Sequence, residues 1–205
     1  MDIRQYIESE VVSFKSTKAE FGGLSNMAAG FSVNVNGIII PTVEHLYQAC
    51  RYPLFPTLQE DIIRQDSPMT AKMISKKHLK YTRQDWDQVR FKVMRWCLEV
   101  KLSQNWEKFS KVLLETGNRA IVELSTKDKV WAAVKEGNKL IGTNALGRLL
   151  MELRENYVKK NEYQRCIDPL PIPGFLLFGN PIEEVCNESF DDDFKYAFEE
   201  ESSLA

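Results

Sequence analysis

Signatures of metal or cofactor binding are what this sequence most lacks. It holds only 2 histidines, His45 and His78, and neither has a partner at a spacing that builds a zinc site. Its 4 cysteines, Cys50, Cys97, Cys166 and Cys186, are scattered with no CxxC pair. Cys50 and Cys97 fall within helical apolar patterns and read as small buried thiols. No GxGxxG or Walker pattern occurs. Apolar runs such as Ile38–Ile40 are far too short to span a bilayer. The opening MDIRQYIESE has no apolar core of a secretory signal. These absences predict a cytosolic protein without membrane, metal or cofactor. Its chemistry must run on carboxylates, amides, lysines, arginines and aromatics.

What is present begins with an uneven charge. The net charge of -2 conceals an acidic end: from Gly179 onward nine acidic residues face one lysine, leaving residues 1–178 at +6. A basic body suits a polyanionic or phosphate-bearing ligand. The acidic end reads as a solvated extension.

The pattern along the chain predicts a mainly α fold with a small β element, in a single domain over 11–160 followed by a C-terminal extension over 161–205. Val11–Phe14 reads as a strand, and Lys18–Gly30 as a loop of small residues. Residues 31–35 alternate with period two, and Asn36-Gly37 signals a hairpin into Ile38–Ile40. A helix follows from Val43 to about Tyr52, with Thr42 at its N-cap. It sets Val43, Leu46 and Cys50 on one side and Glu44, Tyr47, Gln48 and Arg51 on another. Short helices are expected over 57–65 and 67–77, the second opened by Ser67-Pro68. The clearest helix is 83–105, with the apolar stripe Trp86, Val89, Val93, Trp96 or Cys97, and Val100. A helix over 106–116 and a buried strand over 120–124 come next, then a helix over 144–158. The stretch around Trp131–Lys135 carries no assignable pattern.

Several residues are candidates for chemistry. Glu44 lies in a first helical turn, where it complements the helix dipole by roughly 0.3–1 kcal/mol. The same position suits a general base or a carboxylate facing a developing cation. The segment from Glu123 to Trp131 places two acids, a hydroxyl and an indole at a strand end, including Asp128 and Trp131. Around Gly142, Asn144 and Gly147, glycine permits close approach, Asn144 can cap, and free N–H groups at the helix start can bind phosphate. Trp86, beside Arg83 and Arg90, is placed to face a cleft, whereas Trp96 belongs to the core stripe. Lys18, Lys92 and Lys101 are candidate phosphate contacts or nucleophilic amines. Taken alone, these features allow a nucleotide pocket without choosing it over a plain helical domain.

Five segments in order and at suitable intervals add specificity: FGGLSNM (21–27), PTVEHLYQA (41–49), DWDQVRFKVMRWCLEVKLSQN (85–105), LLETGNRAIVELSTKDKVW (113–131) and IGTNALGRLLMELR (141–154). From about Lys18 to Arg154 the chain closely resembles the NADAR, or YbiA-like, family. The resemblance implies N-glycosidase activity on nucleotide-like substrates, with two groups of members. Some hydrolyse phosphoribosyl intermediates of riboflavin biosynthesis. Others remove ADP-ribose from the amino group of guanine, as antitoxins to a DNA-modifying ADP-ribosyltransferase or as stand-alone enzymes. The KAEFGGLSNMA opening, the EHLYQACRYP form and the RxDW segment are more similar to the second group. By motif the implied site is Asn26, Glu44, Trp86, Asp128, Trp131 and Asn144, joined by Tyr47 and Gly142. Lys18, just before the FGG loop, is implied as a covalent participant through an opened ribose. On this resemblance Glu44 activates water or stabilises the positive charge, Asp128 positions the ribose or helps protonate the departing amine, the two indoles sandwich the base or adenine, and N–H groups near Asn144 with nearby basic residues hold phosphates. Leu24 and Met27 stand where phenylalanine is common, and Ala132 where glycine usually follows the tryptophan. Non-catalytic reading of ADP-ribose or nucleic acid, and toxin binding through residues 179–205, are the alternatives of another class.

Overall fold

The computed structural model describes residues 2–187; most of the acidic end singled out above, residues 188–205, lies outside the described residues. A five-stranded sheet forms one layer, in the order β1-β7-β6-β5-β2, from β1 (Arg4–Ile7), β2 (Val11–Phe14), β5 (Ala120–Ser125), β6 (Ala133–Glu136) and β7 (Lys139–Gly142). A separate hairpin pairs β3 (Val33–Val35) with β4 (Ile38–Ile40). The helices are α1 (Val43–Ala49), α2 (Pro56–Ile63), α3 (Pro68–Lys77), α4 (Trp86–Gln104), α5 (Trp106–Glu115) and α6 (Ala145–Leu153).

The sheet is mixed. β5 lies parallel to both β2 and β6, while β7 runs antiparallel to β6 and β1. This corrects the expectation of a mainly α fold with a small β element: the architecture is α/β. β1, β6 and β7 escaped the pattern because their apolar content is split. One sheet face is covered by a small cluster of Val122, Ala133 and Leu140, with Tyr6, Val11 and Leu124 around it. Each strand thus supplies one or two inward residues, and Lys135, Glu136 and Lys139 face water. Four-residue strands with that content carry little period-two signal. The turn between β6 and β7 uses Gly137 at φ 64°, a left-handed position that glycine adopts without penalty.

The larger core lies on the other side, where α4 is the central buried rod. Its stripe of Trp86, Val89, Val93, Trp96, Cys97 and Val100 is buried throughout, as the spacing predicts. The Trp96 indole N–H donates to Asp168 O at 3.0 Å, and its ring packs edge-on against Phe175. Residues 165–187 are tied along the same helix: Gln104 donates to Cys186 O at 3.1 Å, and Ser103 to Arg165 O at 2.8 Å. Cys166 and Cys186 are joined by a disulfide, while Cys50 and Cys97 are buried thiols. No helix among the described residues is long and apolar enough to cross a membrane.

Two capping expectations differ. Ser67 caps α3 through Met69 N, as Ser67-Pro68 predicts. Thr42 occupies the N-cap of α1, but its hydroxyl bonds His45 Nδ1 at 2.8 Å instead of a backbone N–H. The first turn of α1 is held from outside the helix, by Asn26 O accepting from Glu44 N at 3.0 Å.

Candidate active site

A cavity of about 380 Å³ opens where α1, the start of α4, α3 and the carboxyl end of β5 converge. In sheets of parallel strands this end is the usual place for ligands. Of the residues named from sequence, Asn26, Glu44, Tyr47, Trp86, Asp128 and Trp131 all line it. Lys18, Gly142 and Asn144 do not. Four stretches far apart in sequence therefore meet in one recess.

The α1 face supplies Glu44, Tyr47, Gln48 and Arg51, the residues that its spacing of three and four sets together. Glu44 is buried, and its Oε1 accepts from Gln48 Nε2 at 2.9 Å with Lys72 Nζ at 3.6 Å. Burial raises the Tyr47 phenol well above its ordinary range, and the neighbouring Glu44 carboxylate adds to this. Tyr47 packs against both indoles, with ring centroids 5.1 Å from Trp86 and 5.6 Å from Trp131. Phe91 extends the run beyond Trp131 at 5.0 Å. The aromatic wall is thus continuous through Tyr47.

Trp86 is set by the segment before it. Arg83 donates twice to the Asp85 carboxylate, at 2.6 and 2.9 Å, which holds that carboxyl below its usual range. The Arg51 guanidinium then lies 5.4 Å from the Trp86 ring centroid while donating to Thr82 Oγ1. Arg90 also lines the cavity; its buried Nε makes no hydrogen bond and lies 3.7 Å from Asp87 Oδ1.

The loop carrying Asn26 is anchored by Lys101, which is fully buried. Its ammonium donates to Gly23 O at 2.6 Å and Ser25 O at 3.3 Å, and lies over the Phe31 and Phe109 rings. Burial pushes the Lys101 pKa down to about 7. Asn26 donates to Met94 Sδ at 3.1 Å, leaving its Oδ1 buried and unpaired beside the cavity. Lys18 and Lys92 are exposed and line no part of the recess.

Asp128 Oδ1 accepts from the N–H groups of Val130 and Trp131, at 2.8 and 2.9 Å, closing the turn that presents the Trp131 indole. Ala132 tolerates its methyl group: its backbone is outside the left-handed region, and it is buried at the cavity wall.

The expected phosphate cradle at Gly142–Asn144 has another use. The N–H groups of Thr143, Asn144, Ala145 and Leu146 donate to the carbonyls of Lys129, Ala132, Val130 and Trp131 respectively. They are spent on the Asp128–Trp131 turn and are not free for an anion. Asn144, in the left-handed region at φ 50°, turns its side chain into the sheet: Nδ2 donates to Ile121 O at 2.7 Å, and Oδ1 accepts from Glu123 N at 3.1 Å. A Cβ at Gly147 would lie 2.1 Å from Ile121 O, so glycine lets α6 press against β5. Gly142 has no room for a side chain either, with Ala132 O at 2.3 Å from an ideal Cβ. These motif positions build the scaffold under the site.

The site implied by sequence omits Gln48, Arg51, Lys72, Lys76, Arg90 and Lys127, all of which line the cavity, and gives no separate role to Glu123, which lines it too and opens the segment ending at Trp131. The α1 spacing exposed Gln48 and Arg51; no local signal marked Lys72 and Lys76, which come from α3. Burial pushes the Glu123 pKa up to about 7, and Glu44 and Asp128 reinforce this against the opposing pull of Lys72. Altogether five cations and three carboxylates line the recess. Among the described residues, Cys166, Glu184 and Cys186 form a group with metal-ligand proximity, but the two sulfurs are bonded to each other and none lines the cavity.

An α/β fold with acids and indoles around one recess defines a class that comparison identifies. The NADAR domain model matches residues 13–157, and the chain belongs to that family. It is 36% identical over 153 residues to the N-glycosidase YbiA of Escherichia coli (strain K12), covering 75% of this chain and 92% of that protein. The solution structure of E. coli YbiA superposes with a TM-score of 0.64 at 35% identity, covering 78% of this chain and 92% of that one. Over 174 residues it is 32% identical to the riboflavin biosynthesis protein VVA0006 of Vibrio vulnificus (strain YJ016), 84% of this chain and 46% of that protein.

Proposed function

We propose that the protein is an N-glycosidase acting on a phosphate-bearing riboside, and that its substrate is ADP-ribose joined to the amino group of guanine in nucleic acid. The observation that carries the reading is that one cavity holds a buried acid and exposed cations. The Glu44 carboxylate is buried, whereas Lys76 and Lys127 at the same cavity are exposed. A scissile bond at Glu44 and phosphates toward Lys76 and Lys127 fit this arrangement.

Cleavage of an N-ribosyl bond builds positive charge at the anomeric carbon. Glu44, oriented by Gln48 and Lys72, activates the attacking water and faces that charge. Asp128 has one oxygen committed to its turn, and the other is left for ribose hydroxyls. The Trp86–Tyr47–Trp131 wall stacks a heterocycle, a contact worth roughly 1–3 kcal/mol per base. Arg51, Lys76, Arg90 and Lys127 receive phosphates.

The choice of ADP-ribosylguanine draws on the KAEFGGLSNMA, EHLYQACRYP and RxDW segments, and on more cations than a single phosphate requires. On this reading the partners are modified nucleic acid and, functionally, the transferase that modifies it. The riboflavin biosynthesis relatives favour a second reading, a phosphoribosyl pyrimidine intermediate. Purified protein assayed on ADP-ribosylated guanine DNA and on such intermediates separates the two: release of ADP-ribose is expected, and turnover of the intermediates alone overturns the narrower claim. Ligand binding without product from either overturns the enzymatic one.

A further inference from the structure

Glu123 is the cavity carboxyl that the mechanism above leaves unused. Glu44 is engaged by Gln48 and Lys72, and Asp128 by two backbone N–H groups. The Glu123 side chain, half-buried at the cavity, has no hydrogen-bond or ion-pair partner among the described residues. Its carboxyl oxygens therefore open onto the cavity uncommitted, free to meet whatever enters it.

Its backbone, by contrast, is tightly held. Glu123 pairs with Phe14 across β2, and its N–H donates to Asn144 Oδ1 at 3.1 Å. Asn144 is itself pinned to Ile121 O, and Gly147 leaves the space that lets α6 carry Asn144 there. The motif around α6 therefore fixes the place of one acid at the end of β5. Three charged groups face it: Glu44 from α1, Lys72 from α3 and Asp128 from the loop after β5.

We infer that Glu123 is the general acid that protonates the departing nitrogen. This role rests on the N-glycosidase reading. The bond between the anomeric carbon and nitrogen breaks with its electron pair going to nitrogen, which takes the Glu123 proton. Water joins its oxygen to the anomeric carbon and gives a proton to the Glu44 carboxylate. Glu123 ends as a carboxylate and Glu44 as an acid, and exchange with solvent resets both. Burial and the two neighbouring acids keep a proton on Glu123 up to about pH 7, where a typical glutamate has lost it. Activity carried by this acid falls as pH rises through that value.

The test compares wild type with Glu123→Gln and Glu123→Asp on ADP-ribosylated guanosine between pH 5 and 9. Glu123→Gln is expected to lose about 10²–10⁴-fold in kcat, with KM changed only a few-fold, and to lose the fall in rate above pH 7. Glu123→Asp, which keeps a proton but withdraws it, should be slower than wild type yet retain that alkaline fall. Titration of carboxyl-¹³C-glutamate-labelled protein, with the Glu123 signal assigned by its loss in Glu123→Gln, reads the proton without turnover. A kcat in Glu123→Gln within tenfold of wild type, an unchanged alkaline fall, or a Glu123 signal titrating as an ordinary glutamate overturns the acid role. If wild type releases no sugar from any N-riboside while Glu123 titrates near pH 7, the glycosidase reading itself falls and takes this role with it.

Discussion

Substituting Lys101 with methionine perturbs the anchor of the loop that carries Asn26, and its consequence can be worked out from the surroundings. The ammonium is buried without a carboxylate, against two carbonyls and two aromatic faces. Burial lowers its pKa from 10.5 to about 7. An unfolded lysine keeps its proton up to about pH 10.4, so between pH 7 and that value the unfolded chain binds more protons than the folded one. Wild-type stability therefore rises with pH across this window. It is fully present above the unfolded pKa and lost as pH falls toward 7. At 1.36 kcal/mol per pKa unit the rise is at most about 5 kcal/mol. Methionine removes this dependence but leaves Gly23 O and Ser25 O without their donor, about 1–3 kcal/mol each. Urea unfolding at pH 6.5, 8 and 9.5 should show the advantage of wild type over Lys101→Met growing by about 2–4 kcal/mol across the range. Parallel stability curves for the two proteins would refute the reasoning.

Other consequences follow from the same geometry. Asn144→Ala should lower stability by about 1–3 kcal/mol and reduce kcat more than it raises KM, because the residue holds β5 at Glu123; a rise in KM alone would restore the phosphate role. Arg51→Ala with Lys76→Ala should raise KM roughly tenfold, an effect that shrinks as salt increases, while kcat stays near wild type. Cys166→Ser opens the Cys166–Cys186 link, which closes a sequence separation of 20 residues. Denaturant midpoints should report a loss of about 3 kcal/mol, with kcat little changed because the link lies outside the cavity.

How much of this was legible in the sequence depends on where the information sits. The α1 face was readable because Glu44, Tyr47, Gln48 and Arg51 repeat at helical spacing, and all four line the cavity. The α4 stripe and the β3–β4 hairpin were readable for the same reason, since a local period fixes a face. The sheet was not. β1 and β7 pair residues more than 130 positions apart, Arg4 with Gly142 for example, and pairing at that range leaves no local trace. Asn144 shows a subtler failure. Glycine and asparagine at a helix entry suggest an anion site, but the carbonyls of Lys129–Ala132 arrive from another segment and take its donors. Glu123 is one of the two acids of the segment ending at Trp131, and nothing local sets it apart from Asp128. Its distinction comes from burial between Glu44 and Asp128, which is a property of the assembled cavity.

The central claim is that Glu44 drives hydrolysis inside this shared recess. It is tested most directly by measuring ADP-ribose release from ADP-ribosylated guanine DNA by wild type and Glu44→Gln, with substrate binding followed by calorimetry. Wild type should release product, and the variant should retain binding with turnover reduced at least about a hundredfold. Near-wild-type turnover in Glu44→Gln with binding intact would contradict it.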